Sequence, residues 1–227
     1  LGAGMMGSAI AYVSALAGIE VVLLDTSAEL ADKGKSYGRQ VMDKQISRGQ
    51  ITETECDEVQ VRITTTPDFA DLTECELVVE AVFEDRAIKA DVTQKAEAVI
   101  AEGAIFASNT STLPVTGLAD SSSRAANFIG LHFFSPVDKM QLVEVIRGEQ
   151  TSDECLARAL DYVKRIGKVA TVVNDSLGFY TSRVVGRFVD EGLAMVGEGI
   201  SAALIENGGK LAGVPVGPPA LADEVSL

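Results

Sequence analysis

The sequence contains few of the histidines and cysteines from which many metal centres and all disulfide frameworks are built, and it lacks a long apolar run. It has one histidine and three cysteines in 227 residues, and Cys56, Cys75 and Cys155 lack the short spacing of a metal-binding pair. The same cysteines predict no disulfide framework, which favours a reducing compartment. No apolar run is long enough to cross a bilayer. The sequence therefore predicts no metal site and no membrane span.

Basic residues are also scarce. Lysine and arginine number 19 against 33 aspartates and glutamates, which gives a net charge of −14 and a pI near 4.5. This balance argues against general nucleic-acid binding, which needs a basic surface. The hydrophobic content of 47% is ample for a packed core. The length allows one large domain, or one domain and part of a second.

The first seven residues carry the most informative motif. They fit G-x-G-x-x-G, with glycines at Gly2, Gly4 and Gly7. Gly2 permits a tight turn from a strand into a helix, Gly4 lets a pyrophosphate approach the backbone, and Gly7 lets the helix pack closely on the sheet. The helix N-terminus then offers N–H groups and a positive dipole end to phosphates. The motif predicts a dinucleotide site.

Asp25 supports this prediction. It ends the short apolar run 19–24 and lies where an acid can accept hydrogen bonds from the adenosine ribose, which favours NAD over NADP. The alternative is that Asp25 only caps the next helix. Because Leu1 alone precedes the glycines, the strand expected before them is missing from the sequence, and we expect the chain to be a segment of a longer polypeptide.

Apolar runs alternate with helical patterns over most of the chain. This alternation predicts an α/β fold with a Rossmann-type doubly wound sheet, and after Gly178 only helical periodicity remains. We therefore expect an NAD-binding domain over 1–176 and the start of an all-α C-terminal domain over 177–227. The predicted strands after the first run are 61–65, 77–82, 104–107, 128–134, 142–146 and 169–173.

Polar residues follow several of these strands. Glu80 interrupts the run 77–82, and Glu84 comes just after it. Ligands bind outside the carboxyl ends of parallel strands, so Glu84 is well placed for the cofactor, although it could instead be an ordinary helix N-cap. Lys89 opposes the dipole of the next helix, which indicates a purpose other than helix stability. The polar run 108–112 is either a ligand-contact loop or a plain turn.

His132 is the candidate general base because the unperturbed pKa of histidine lies near working pH. A single histidine in an apolar run is more often a core residue. Glu144 on the following strand changes this balance, because its carboxylate can bond one ring nitrogen and fix the tautomer. Ser111, on a neighbouring loop, can bond a substrate oxygen. These residues indicate NAD-linked dehydrogenation of an alcohol.

The sequence also resembles the L-3-hydroxyacyl-CoA dehydrogenases of fatty-acid β-oxidation, and most closely their multifunctional α-subunits. The resemblance covers nearly the whole chain, in the order of the family. The matching runs are GAGMMGSAIA, VVEAVFED, ASNTSTLP, GLHFFSPVDKMQLVEVI, VVND, GFYTSRV and PVG with LADEVSL.

The resemblance implies oxidation of an (S)-3-hydroxyacyl-CoA to the 3-ketoacyl-CoA with NAD as acceptor. It makes His132 the catalytic base, Glu144 its partner, and Ser111 a catalytic and substrate-binding residue, with Ser182 on the substrate side. It also implies a homodimer or a complex with a thiolase subunit, in the cytoplasm or, in a eukaryote, the mitochondrion. It further implies that the C-terminal domain serves dimerisation and substrate binding. The implied cofactor-binding residues are Gly2, Gly4, Met6, Gly7, Asp25, Glu84, Lys89 and Asn109.

The chain departs from the family pattern at two positions. Leu177 stands where many members have proline, and Ser182 where many have asparagine. Two rival functions stay open. One is an NAD-linked β-hydroxyacid dehydrogenase with a catalytic lysine, against which the lack of lysine in the helix after Gly178 speaks. The other is a cofactor-binding structural protein without turnover.

Overall fold

The computed structural model describes residues 1–224. The chain divides into two compact units, Leu1–Leu177 and Gly178–Leu227. The first is α/β and the second is helical over its described residues, so the predicted fold class is confirmed. The strands are β1 (Val21–Leu24), β2 (Ile63–Thr66), β3 (Leu77–Glu80), β4 (Ile105–Ser108), β5 (Phe128–Phe133), β6 (Leu142–Arg147) and β7 (Val169–Asn174). The helices are α1 (Met5–Leu16), α2 (Ala28–Ile46), α3 (Glu53–Val61), α4 (Arg86–Glu97), α5 (Val115–Ala119), α6 (Asp153–Arg165), α7 (Thr181–Gly197), α8 (Ala202–Leu211) and α9 (Pro218–Glu224).

The strands form two groups, which lie on either side of Leu1 and Gly2. One group is β1-β2 and the other is β3-β4-β5-β6-β7, in which only the β5–β6 pair is antiparallel. The Leu1 nitrogen donates to Val79 O (2.6 Å) and Leu1 O accepts from Ala81 N (2.8 Å), while Gly2 N donates to Leu24 O (2.8 Å). Leu1 and Gly2 therefore bond both groups at their carboxyl ends.

A groove of about 740 Å³ continues from Leu1 between β1 and β3. The residues that line it include Ile10 of α1, Val22 of β1 and Val78 of β3. In the strand order 3-2-1-4-5-6 of dinucleotide-binding folds, strand 1 occupies this position. The observed groups match that order on either side of the groove, and β6 and β7 extend it.

Helices α1 and α2 pack closely against each other through small residues. The inner residues of α1, Ala9, Ala11 and Ala15, are buried. On the facing helix, a Cβ at Gly34 would lie 2.6 Å from Ala3 Cβ and 2.7 Å from Ala3 O, and one at Gly38 would meet the Tyr12 ring at 2.8 Å. These contacts let the two helices approach closely, which brings α2 against the backbone that follows Gly2.

Three helices, α3, α5 and α9, were not predicted from the sequence. Helix α3 begins with a capping box in which Thr52 accepts from Glu55 N and Glu55 bonds the Thr52 backbone. Helix α9 starts at Pro218, and proline is favoured in the first helical turn because its missing N–H needs no partner there. Of the predicted LADEVSL run, the last three residues lie outside the described residues.

We predict that Gly34→Ala destabilises the first unit by about 1–3 kcal/mol, because its new methyl group must displace the Ala3 backbone. The gain in helix propensity of about 1 kcal/mol offsets only part of this cost. Native-state hydrogen exchange of α1 and α2 amides in the complete polypeptide measures the change. The control is Lys33→Ala, an exposed neighbour, which should change stability by less than about 0.5 kcal/mol. Equal exchange in the two variants would contradict the close packing.

Candidate active site

The antiparallel pairing of β5 and β6 places His132 directly opposite Glu144. His132 Nδ1 lies 2.7 Å from Glu144 Oε2. His132 is 5% exposed and Glu144 is fully buried. A carboxylate on Nδ1 fixes the tautomer with the proton on that atom, so that Nε2 is the ring nitrogen that can exchange a proton with a substrate.

The surroundings of His132 hold this pair in place. The Phe134 ring lies 4.4 Å from the imidazole, centroid to centroid. Asn109 Oδ1 accepts a hydrogen bond from Phe133 N (2.9 Å), and Asn109 N donates to Glu80 O (2.8 Å). Asn109 thus joins the carboxyl ends of β3, β4 and β5 beside His132.

Glu84 binds the polar loop that follows β4. Its Oε1 accepts hydrogen bonds from Ser111 N (3.0 Å), Thr112 N (3.3 Å) and the Thr110 hydroxyl. It is not the helix cap considered as an alternative, because Asp85 caps α4 through Ala87 N and Ile88 N. The polar run 108–112 is therefore a loop bound to a carboxylate rather than a plain turn.

Lys89 is buried between two carboxylates. Its Nζ lies 2.9 and 3.0 Å from the two Glu80 oxygens and 3.1 Å from Glu84 Oε2. Lys89 is 2% exposed and Glu80 is 1% exposed. These ion pairs explain a lysine in the first turn of a helix, where the dipole alone disfavours it.

The pKa values of Glu80 and Glu84 shift in opposite directions, although both carboxylates contact Lys89. Burial raises the pKa of Glu80, and the Lys89 ammonium and the Ser108 hydroxyl offset only part of that rise. Burial also acts to raise the pKa of Glu84, but the bonds from Thr110 and Lys89 outweigh it and hold that pKa below its ordinary value. Glu84 is therefore the anion that binds the loop.

The glycine motif forms the turn predicted for it. Gly2 has a φ of +82°, and a Cβ there would lie 2.9 Å from Ala81 O. A Cβ at Gly7 would lie 1.8 Å from Gly2 O, so only glycine allows α1 to start so close to the loop. Gly4 is exposed, and no atom lies within 4 Å of the place its Cβ would take. Gly2 thus forms the turn, Gly4 leaves open space and Gly7 allows close packing, as the motif implies.

Asp25 braces the same loop from the end of β1. Its Oδ2 accepts from Ala3 N (2.6 Å) and its Oδ1 from Thr26 N (2.6 Å). Ser27, not Asp25, caps α2 through Leu30 N. Asp25 therefore links the glycine loop to the end of β1.

Two predicted residues remain. Met6 is half-buried in the first turn of α1 and packs against the core. Ser182 lies in the first turn of α7, in the second unit. The predicted site residues did not include Glu80, Ser108 or Thr110. The signals for them were the acid that interrupts a buried strand and the polar run 108–112.

Residues 1–176 match the family model described as the 3-hydroxyacyl-CoA dehydrogenase, NAD binding domain, and residues 178–227 match that of the 3-hydroxyacyl-CoA dehydrogenase, C-terminal domain. The chain belongs to the 3-hydroxyacyl-CoA dehydrogenase family. Its first unit is accordingly an NAD-binding domain.

Members of this family with similar sequences include fatty acid oxidation complex α-subunits. Those from Psychrobacter cryohalolentis and Shewanella amazonensis are 37% and 39% identical over 227 and 228 residues. Each match covers all of this chain and 32% of the relative, so the chain spans about a third of the length of these curated relatives.

Solved structures of the family share the fold. The (S)-3-hydroxybutyryl-CoA dehydrogenase of Ralstonia eutropha is 37% identical, with a TM-score of 0.95 over 99% of this chain and 80% of that one. FadB2 of Mycobacterium tuberculosis is 33% identical, with a TM-score of 0.93 over the same shares. The resemblance deduced from sequence motifs is confirmed by these matches.

Neither a membrane span nor a metal site is found within residues 1–224. No helix there is both long and apolar enough to cross a bilayer. In the same part of the chain, histidine, cysteine and carboxylate side chains do not gather in groups of three or more that could hold a metal ion.

The glycine loop fits the dinucleotide that this family binds. The open space beside Gly4 adjoins the N-terminus of α1, whose first-turn N–H groups have no intrahelical partners and attract a pyrophosphate. An aspartate bonded to the loop lies at the end of the next strand. The donor set and the open space together suit NAD.

Gly4→Ala and Gly7→Ala should separate cofactor binding from folding. We expect Gly4→Ala to keep the stability of the wild type, because its methyl group meets no protein atom, and to weaken NADH binding at least about tenfold, or about 1.4 kcal/mol. Gly7→Ala should lose both, because its methyl group overlaps Gly2 O. NADH fluorescence titration and thermal unfolding of the complete polypeptide measure the two effects. Unchanged NADH affinity in Gly4→Ala would show that phosphates do not approach this loop.

Proposed function

We propose that the chain carries an NAD-dependent oxidation of (S)-3-hydroxyacyl-CoA to 3-ketoacyl-CoA in fatty-acid oxidation. The observation that carries the proposal is the buried contact of 2.7 Å between His132 Nδ1 and Glu144 Oε2, at the same sheet edge as the 108–112 loop. A structural core histidine would not need a buried carboxylate aligned on one ring nitrogen. Family membership and the NAD-binding domain give the pair its context.

His132 acts as the general base in this proposal. Its Nε2 takes the proton of the C3 hydroxyl, and the imidazolium that forms is stabilised by Glu144 across the strand pair. NAD, when bound, supplies the acceptor for the hydride that leaves C3. A correctly positioned base contributes about 10²–10⁴-fold to such a rate.

The other predicted residues divide between cofactor and substrate. Gly2, Gly4, Met6 and Gly7 line the pyrophosphate end, and Asp25 binds the ribose hydroxyls with a charge that disfavours a 2′-phosphate. Glu84, Lys89 and Asn109 lie on the nicotinamide side. Ser111 bonds the substrate oxygen, and Ser182, in the second unit, is a substrate-binding residue.

The rival with a catalytic lysine has less support. Helix α7, which follows Gly178, contains arginines but no lysine. A structural relative without turnover would have no need to keep the buried pair of His132 and Glu144. A buried carboxylate is costly unless it is paired. The intact pair thus favours an active enzyme.

The proposed partners follow from the relatives. Two of them are named as α-subunits of a fatty acid oxidation complex, so we propose that this chain also works within an assembly. A thiolase subunit and a second copy of the chain are the two candidate partners. A reducing compartment, the cytoplasm of a bacterium or the mitochondrion of a eukaryote, agrees with the three free cysteines.

His132→Gln should lower turnover by about 10²–10⁴-fold in either direction, because glutamine can neither take the hydroxyl proton in oxidation nor return it to the ketone oxygen in reduction. The measurement is NADH oxidation by acetoacetyl-CoA and by a long-chain 3-ketoacyl-CoA, with the complete polypeptide. NADH affinity should stay nearly the same, since the glycine loop and Asp25 are not changed. Wild-type activity in the mutant would refute the base assignment. Absence of turnover in the wild type, with NADH still bound, would favour the structural rival.

A further inference from the structure

Glu80 is a buried carboxylate that neither the proposed mechanism nor the proposed cofactor contacts use. It is the last residue of β3. Its two oxygens receive the Lys89 ammonium at 2.9 and 3.0 Å, Oε1 also receives the Ser108 hydroxyl, and Oε2 receives Val82 N at 3.3 Å. Glu80 thus bonds strand β4, helix α4 and the turn after its own strand.

Lys89 connects Glu80 to Glu84, because its ammonium contacts both carboxylates. One ammonium serves three carboxylate oxygens, and its contact with Glu84 is to Oε2 at 3.1 Å. The other oxygen of Glu84, Oε1, is the one that binds the loop. Glu80 fixes the position of the Lys89 ammonium. Glu84 Oε2 therefore faces the lysine, and Glu84 Oε1 faces the loop.

The loop that Glu84 holds includes Ser111. Four donors of 110–112, two of them backbone amides and two hydroxyls, converge on Glu84 Oε1, and the Thr110 hydroxyl accepts from Leu113 N (2.9 Å). Upstream, the Ser108 hydroxyl that donates to Glu80 also accepts from Thr110 N (3.3 Å). Glu80 therefore reaches the loop by two routes, through Lys89 and through Ser108.

We propose that Glu80 is a positioning residue for the substrate-side loop. Through Lys89 it orients Glu84, and through Ser108 it fixes the start of 108–112, so that Ser111 is presented in one place. What the loop does for the substrate rests on the proposed function, but how the loop is held does not.

Stability alone gives no reason for this arrangement. A buried ion pair often contributes no more to folding than apolar residues of the same volume would. Its contribution is a fixed geometry, since each charge must be met by donors or acceptors at set positions. The only exposed ends of the network formed by Glu80, Lys89 and Glu84 are Glu84 and the loop it binds.

The same helix offers a matched control. Glu97, at the other end of α4, is also a buried glutamate, 6% exposed, that binds a serine-rich turn. Its oxygens accept from the Ser122 hydroxyl, from Ser123 N (2.7 Å) and from the Ser123 hydroxyl (2.7 Å). Glu97→Gln therefore changes a similar buried carboxylate away from the proposed site.

The test compares Glu80→Gln with Glu97→Gln in the complete polypeptide without cofactor. We expect the amides of Ser111, Thr112 and Leu113 to exchange hydrogen about tenfold faster in Glu80→Gln, the effect of weakening one charge-assisted hydrogen bond. They should keep wild-type rates in Glu97→Gln, where Ser123 exchanges faster instead. Turnover with acetoacetyl-CoA should fall about tenfold in Glu80→Gln only.

Unchanged exchange at 111–113, or an equal rise throughout β3, β4 and α4, would overturn the proposal. Faster loop exchange with undiminished turnover would also overturn it. If Glu80→Gln does not fold, the variant E80Q/K89M removes both buried charges together, and faster exchange confined to the loop is again the expected result. A wild type without turnover would refute the proposed function alone, because the exchange rates still decide how the loop is held.

Discussion

Buried charges at the sheet edge where β3 and β5 end and β6 begins constrain this structure more than any other feature. Glu80, Lys89 and Glu144 are almost completely inaccessible to water. An isolated charge in such a place is far too costly to keep, so each one must find a partner. The parallel strands end at one edge and β6 starts at that edge, which is why the partners are within reach.

The two buried pairs have different consequences. His132 and Glu144 are cross-strand neighbours, so their distance is set by the register of β5 and β6 and leaves little freedom to either side chain. Glu80 and Lys89 join a strand to a helix, and their contact extends through Glu84 to a loop. The first pair is therefore fixed by strand register, whereas the second extends to a partly exposed loop.

Sequence reasoning placed all seven strands and most of the long helices, because apolar runs and helical periodicity are local signals. It missed α3, whose short amphipathic pattern is weak, although the Thr52 and Glu55 capping box was there to be read. It predicted Glu84 as a cofactor residue or a helix cap; the structure shows that Asp85 is the cap and that Glu84 accepts from four donors of 110–112. That role depends on a loop 26 residues away in sequence, which no local pattern can reveal.

The sequence by itself determined the fold class, the glycine turn and the family. Each of these depends on residue types at short spacing, such as glycines where a side chain would collide with the backbone. Only the tertiary structure decided that Glu80 belongs with Lys89, that Glu84 holds the loop, and that His132 Nδ1 faces Glu144 Oε2. These contacts form between residues from different elements, and the free energy that selects them is the cost of burying charge without a partner, which exists only once the chain has folded.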